Sequence, residues 1–164
     1  MRDASILAMS GGVLALLLAA AGSPRAQEQD SPRAIMEKRG LLGTWAYDCG
    51  KRATPVNHYV VYRALDEQRV QRDTMHGPTR RERAGLVESA VELSPHEIQI
   101  TEVLKTEKGE EVRDVATRRI EGNRQRAMEW TQNGEKHIAA GRYLKTKLNG
   151  SWGGKPTDWL YRCD

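Results

Sequence analysis

Two cysteines bracket almost all of the chain that carries folding signals, Cys49 near the start of the patterned region and Cys163 one residue from its end. In an oxidising compartment such a pair becomes a disulfide. Closing a loop of more than a hundred residues removes unfolded-state entropy worth about 4–5 kcal/mol in the ideal chain limit. No C-x-x-C spacing points to a redox pair or a metal site instead. A bridge between the first and last strands makes them neighbours in space, and an antiparallel sheet in that state is closed or nearly so. The cysteines therefore predict a barrel.

The compartment follows from the first residues. Ile6 to Ala21 form the only long apolar run, ILAMSGGVLALLLAAA, broken by Ser10, Gly11 and Gly12. A spanning helix needs about 20 apolar residues, so this run is short for an anchor. It ends in Ala19-Ala20-Ala21-Gly22, small side chains of the kind a signal peptidase accepts. Residues 1–26 are expected to be a cleaved secretory signal, with an uncleaved anchor as the alternative. The mature protein is then periplasmic or secreted, carries no lipid because no cysteine lies near the cut, and keeps no stable membrane anchor. Residues 27–40 read as a flexible or short helical lead-in, with Ser31 as cap and Pro32 in the first turn. Residues 41–164 read as a single β-barrel domain.

From Gly43 onward the chain alternates short strand-like runs with turn residues. Strands are expected over 43–49, 57–63, 67–74, 86–93, 96–104, 112–120, 124–131, 135–144 and 159–163. Asn133-Gly134 is a type I′ hairpin signal. Leu86 to Leu93 alternates with Val87, Ser89, Val91 and Leu93 on one face. The fold expected is all-β, an antiparallel up-and-down barrel of about eight or nine strands, with a sandwich as the other architecture that shares the signature. The expected inward set is Trp45, Tyr47, Val60, Tyr62, Val87, Val91, Ile98, Ile100, Met128, Trp130, Ile138 and Leu144. With no Phe and 38% hydrophobic residues, that set fills a small barrel and leaves little room for a large greasy ligand. The same composition excludes a polytopic membrane protein, a coiled coil and a second large domain.

Gly43-Thr44-Trp45 is similar to the G-x-W signature on the first strand of lipocalins and other calycin-type barrels. The layout resembles small exported bacterial barrels whose first strand reads G-x-W followed by D-C and whose last strand ends in Cys. The resemblance implies that Trp45 closes one end of the barrel and packs against an arginine from a late strand, either Arg142 or Arg162. The chain departs from the pattern in lacking a second or third lipocalin motif.

No catalytic or metal motif is present. His58, His76, His96 and His137 form neither H-x-H nor H-E-x-x-H. There is no G-x-S-x-G elbow, and both thiols are committed to the bridge. The pairs Asp66-Glu67 and Glu110-Glu111 fall in turns, where carboxylates are solvated. No enzymatic activity and no cofactor is expected. Arginine is more informative: Arg118, Arg119, Arg124 and Arg126 flank the Glu121-Gly122-Asn123 turn and form a candidate basic face for an anionic group or an acidic partner, or else a solvated sheet face. A second candidate is the loop 147–158, where Trp152 and Lys155 stand among three glycines. Trp152 either contacts a partner or plugs the barrel end. Nucleic acid is not expected as a partner, because no stacking aromatics interleave the arginines. These features lead to a non-enzymatic exported binding protein that engages a protein or an anionic envelope ligand. The alternative is an inhibitor of a secreted hydrolase, protease or lysozyme.

Overall fold

A computed structural model describes residues 30–147 and 149–163. The expected signal, 1–26, lies outside the described residues.

The described chain opens with helix α1 (Pro32–Lys38), started where Ser31 Oγ accepts a hydrogen bond from the Ala34 amide at 3.2 Å. Pro32 presets the first helical φ and loses no needed donor. The helix lies across one end of the barrel. Ile35 and Met36 enter the core, Arg33 donates to the Asp66 carbonyl at 2.8 Å, and Lys38 pairs with Glu92 at 3.2 Å. Of the expected lead-in, 27–40, residues 27–29 lie outside the described residues, and Pro32–Lys38 form the floor of the barrel.

Ten strands follow: β1 (Gly43–Ala46), β2 (Tyr59–Ala64), β3 (Val70–Met75), β4 (Arg81–Ser94), β5 (Glu97–Thr106), β6 (Glu111–Glu121), β7 (Arg124–Gln132), β8 (Glu135–Ala139), β9 (Arg142–Tyr143) and β10 (Leu160–Arg162). Each pairs antiparallel with the next from β1 to β9. Closure comes from β10, which inserts between β1 and β7. Leu160 and Tyr161 pair with Gln125 and Arg124 of β7, while Tyr161 and Arg162 pair with Ala46 and Trp45 of β1. The ring is therefore a closed antiparallel barrel of eight strands, β1–β7 plus β10. Strands β8 and β9 branch from the far half of β7, with Ile138 opposite Trp130. The expected single strand 135–144 is split because Ala140 and Gly141 both take positive φ, 48° and 71°. Asn133 and Gly134 do the same at 48° and 87°, the geometry of a type I′ turn.

The disulfide joins Cys49, just past β1, to Cys163, just past β10, with Cα atoms 5.2 Å apart. Beside it the Cys163 amide donates to the Thr44 carbonyl at 2.9 Å. The bridge therefore clamps the seam at which the ring closes.

Trp45 is fully buried, and its Nε1 donates to the Leu41 carbonyl at 2.9 Å. Arg162 is its cross-strand partner and donates to the Gly40 carbonyl at 3.2 Å. Arg142 lies on β9, outside the ring. Of the two arginines considered, Arg162 occupies the late-strand place beside Trp45. Around Trp45 the apolar floor includes Met36, Leu41, Val70, Ile98 and Ile100.

Two inward assignments change, both at bulges. Register shifts between Val87 and Ser89, so Ala90 turns into the core and Val91 is left 39% exposed. On β7 the pairing passes from Glu129 to Ala127, making Met128 the extra residue. Ala127 is buried, and Met128 packs on Gly141 instead of filling the barrel. An extra residue inverts the two-residue alternation beyond it.

Gly85 marks where β4 crosses closest to β5. A Cβ at this position would stand 1.9 Å from the Val103 carbonyl oxygen and 2.6 Å from the Leu104 Cα. Both are backbone atoms of the barrel wall. Gly85→Ala is expected to lose cooperative folding or fall far below wild type in a urea titration; a midpoint within error of wild type would show that the strands are not this close. Trp45→Ala is expected to destabilise by about 3–5 kcal/mol through the cavity it leaves, read from the same titration. Cys49→Ser is expected to lower stability by less than the ideal loop-closure figure, about 4–5 kcal/mol, because the strands still pair; identical melting with and without reductant would show that the bridge adds nothing.

Candidate functional site

Beyond the apolar floor the barrel interior turns polar, and the alternation of the strands dictates it. The inward positions read Val70, Arg72, Thr74 on β3; Ile98, Ile100, Glu102, Leu104 on β5; and Val112, Asp114, Ala116, Arg118 on β6. Arg72 is 8% exposed and Glu102 2%, with Arg72 Nε 3.6 Å from Glu102 Oε2. That separation is too long for a hydrogen bond. Arg72 Nε and Nη1, Glu102 Oε1, the Tyr62 hydroxyl, Thr74 Oγ1, Arg118 Nε and the Gln125 amide are all buried without hydrogen-bond partners. Buried polar atoms are nearly always satisfied in proteins, by other protein groups, ordered water or a ligand, so this belt holds unmet donor and acceptor capacity.

The belt borders a cavity of about 230 Å³ lined by Tyr47, His58, Val60, Arg72, Thr74, His76, Glu82, Arg83, Asp114, Arg118, Trp130, Ile138, Tyr143 and Asp158 among others. It continues outward into a vestibule of about 700 Å³ that shares Tyr47, His58, Trp130, Tyr143 and Asp158 and adds Pro55, Val56, Asn149 and Trp152. The charges inside are mostly matched. Arg83 faces Asp114 at 3.8 Å, and His76 Nε2 lies 2.8 Å from Glu82. Arg118 stands apart: no ion pair among the described residues uses it. Its charge acts on Tyr47, His58, Tyr62 and Tyr143 alike, which places the guanidinium centrally.

Around His58 the field is positive. Burial, then the charges of Arg72, His76, Arg118 and Arg83, lower His58 to about 4, so the ring is neutral at pH 7. Burial and the Glu102 carboxylate push the Tyr62 hydroxyl up to about 12. Burial also raises Tyr47 and Tyr143, with Asp158 adding to both. The phenols remain neutral donors. Among the described residues no group of three or more His, Cys, Asp or Glu is arranged to hold a metal ion.

The mouth is shaped by the loop between β9 and β10. The Asn149 side chain donates to the carbonyls of His137 and Leu144, each at 2.7 Å, and the Thr157 hydroxyl donates to Ala127 at 2.7 Å. These bonds fold the loop back over β7 and β8. Trp152, closing a single 3-10 turn (Gly150–Trp152), is 51% exposed, with its ring 6.0 Å from that of Tyr143 and the Lys155 ammonium 5.1 Å from its centre. Trp152 borders the opening and does not plug it.

The basic face expected on the β6–β7 hairpin is not one surface. Arg118 points into the barrel. Arg119 is on the outside and pairs with Glu97 at 2.7 Å. Arg124 pairs with Glu121 at 2.8 Å, and the guanidiniums of Arg124 and Arg126 lie 4.2 and 4.7 Å over the Trp159 ring. Adjacent strand residues face opposite sides, which separates Arg118 from the other three. The structure brings Arg118 and Trp152 to one connected cavity with Tyr47, expected inward, with His58, and with Arg72 and Tyr143, which the sequence reading missed. Glu102 was within reach of the alternation, since it continues the inward series Ile98, Ile100 by two residues.

His58 makes a pH prediction. Its folded value lies below the unfolded one of about 6.5, so it has no effect on stability above that pH and destabilises as pH falls from about 6.5 toward about 4. The loss approaches about 3 kcal/mol at the lower end. His58→Gln is expected to flatten this part of the melting-temperature profile. An NMR titration of the His58 ring with a midpoint near that of a free histidine would overturn it.

No protein-family model, curated protein or solved structure was found to match the chain.

Proposed function

We propose that this is a non-enzymatic, exported binding protein that takes an anionic envelope component into the open end of its barrel. The carrying observation is Arg118, a guanidinium inside the barrel that makes no ion pair among the described residues, at the base of a funnel walled by Tyr47, Trp130 and Tyr143. A cation held in a low-dielectric interior is stabilised when an anion reaches it. The disulfide is compatible with export, and among the described residues no helix is long and apolar enough to cross a membrane. The pairing of Trp45 with Arg162 supports a lipocalin-like reading of the barrel.

A second reading, an inhibitor of a secreted hydrolase such as a protease or lysozyme, is supported by Val56 and Trp152. Both border the mouth, Val56 being 87% exposed. Exposed apolar side chains beside a cavity are common anchors in protein interfaces.

Native mass spectrometry of the protein recovered from an exporting cell distinguishes the two. A small non-covalent adduct that Trp130→Ala no longer retains is expected. Stoichiometric capture of one hydrolase with loss of its activity would favour the second reading, and a bare protein with neither would overturn both.

A further inference from the structure

The interior chemistry narrows the ligand, on the reading that the barrel binds one. The charge balance comes first. Arg72 is opposed by Glu102 and Arg83 by Asp114, while His76 Nε2 lies 2.8 Å from Glu82, a contact that needs no charge on the ring. Arg118 makes no ion pair among the described residues, and neither does Asp158, whose carboxylate lines the same cavity. A carboxylate guest at Arg118 brings one negative charge into this space. A dianionic phosphate brings two, beside the Asp114, Glu82 and Asp158 carboxylates already there.

Hydrogen bonding comes next. Arg118 Nε, Arg72 Nη1 and Thr74 Oγ1 are buried polar atoms without partners, and all three residues line the inner cavity. Two guanidiniums and a hydroxyl present N–H and O–H donors to a planar acceptor with two oxygens. Both Arg72 and Arg118 act on the His58 ring and on Tyr62, so their charges converge on one region of the cavity.

Shape completes the picture. Above the guanidiniums the walls are the rings of Tyr47, Trp130 and Tyr143, with Trp152 at the rim. Flat aromatic walls favour a flat apolar body, through stacked or edge-on contacts. The inner cavity, about 230 Å³, holds a small head group, and the wider vestibule accommodates the body.

We propose that the barrel binds an amphiphilic monocarboxylate head-down, its carboxylate between Arg118 and Arg72 and its flat apolar body between Tyr47, Trp130 and Tyr143. Asp158, an exposed carboxylate that lines both the cavity and the vestibule, disfavours a second anionic group there.

Calorimetric titration with three matched probes tests this: 2-naphthoate, its neutral amide 2-naphthamide, and the dianion 2-naphthyl phosphate. The wild-type protein is expected to bind the carboxylate at least tenfold more tightly than the amide and more tightly than the phosphate. Arg118→Gln is expected to bring the carboxylate down to the level of the amide while leaving amide binding unchanged, which also shows that the variant is folded. Arg119→Gln, outside the barrel, is expected to behave as wild type. Equal binding of carboxylate and amide overturns the head-group assignment and leaves the binding function standing. Tighter binding of the phosphate overturns the monoanion argument. Absence of binding by all three overturns the ligand class, and the native mass spectrum then decides the broader reading separately.

Discussion

The three residues of β10 hold the architecture together. Strands β1 to β7 form a curved meander whose two edges, β1 and β7, would each present unpaired backbone groups. Inserting Leu160–Arg162 between them satisfies both edges at once. So short a strand has few ladder bonds, and the Cys49–Cys163 bridge beside it compensates by keeping the seam closed. Arg162 also reaches the Gly40 carbonyl, which ties the seam to the segment that leads from α1 into Trp45. Floor and seam are therefore fastened at the same corner.

The shortness of β10 also makes the mouth. It covers β7 only at Arg124 and Gln125, so the rest of β7 is free to pair with β8, and the sheet divides at the open end. Into that division fold β9 and the loop held by Asn149 and Thr157, which bring Tyr143 and Trp152 to the rim. A longer last strand would have paired along all of β7 and shut the opening that Trp130 and Tyr143 now line.

Within this frame the interior is divided by polarity. The end under α1 is close-packed and apolar around Trp45. The middle holds Arg72, Glu102 and Gln125, buried and incompletely hydrogen-bonded. Such groups are costly to remove from water, and an ion pair at 3.6 Å without saturating hydrogen bonds does not offset that cost well. The stability of the barrel rests on the floor and the seam, and the polar belt is an arrangement suited to a guest. This division links the structure to the proposed function: the part that holds the fold is separate from the part that would hold a ligand.

The amino-acid sequence by itself determined the strand content, the turn at Asn133-Gly134, the start of α1 at Ser31-Pro32 and the neighbourhood of Cys49 and Cys163, because each is written in local residue chemistry or in a covalent bond. It also contained the inward course of Glu102, since a two-residue period continues from Ile98 and Ile100. Only the tertiary structure decided that β10 lies between β1 and β7, that bulges exchange Val91 for Ala90 and Met128 for Ala127, and that Arg118 parts company with Arg119, Arg124 and Arg126. The physical reason is that a period-two pattern says which residues share a face but not which face is inside. That choice belongs to the partner strands, and where an extra residue slips between them it reverses without any mark in the local sequence.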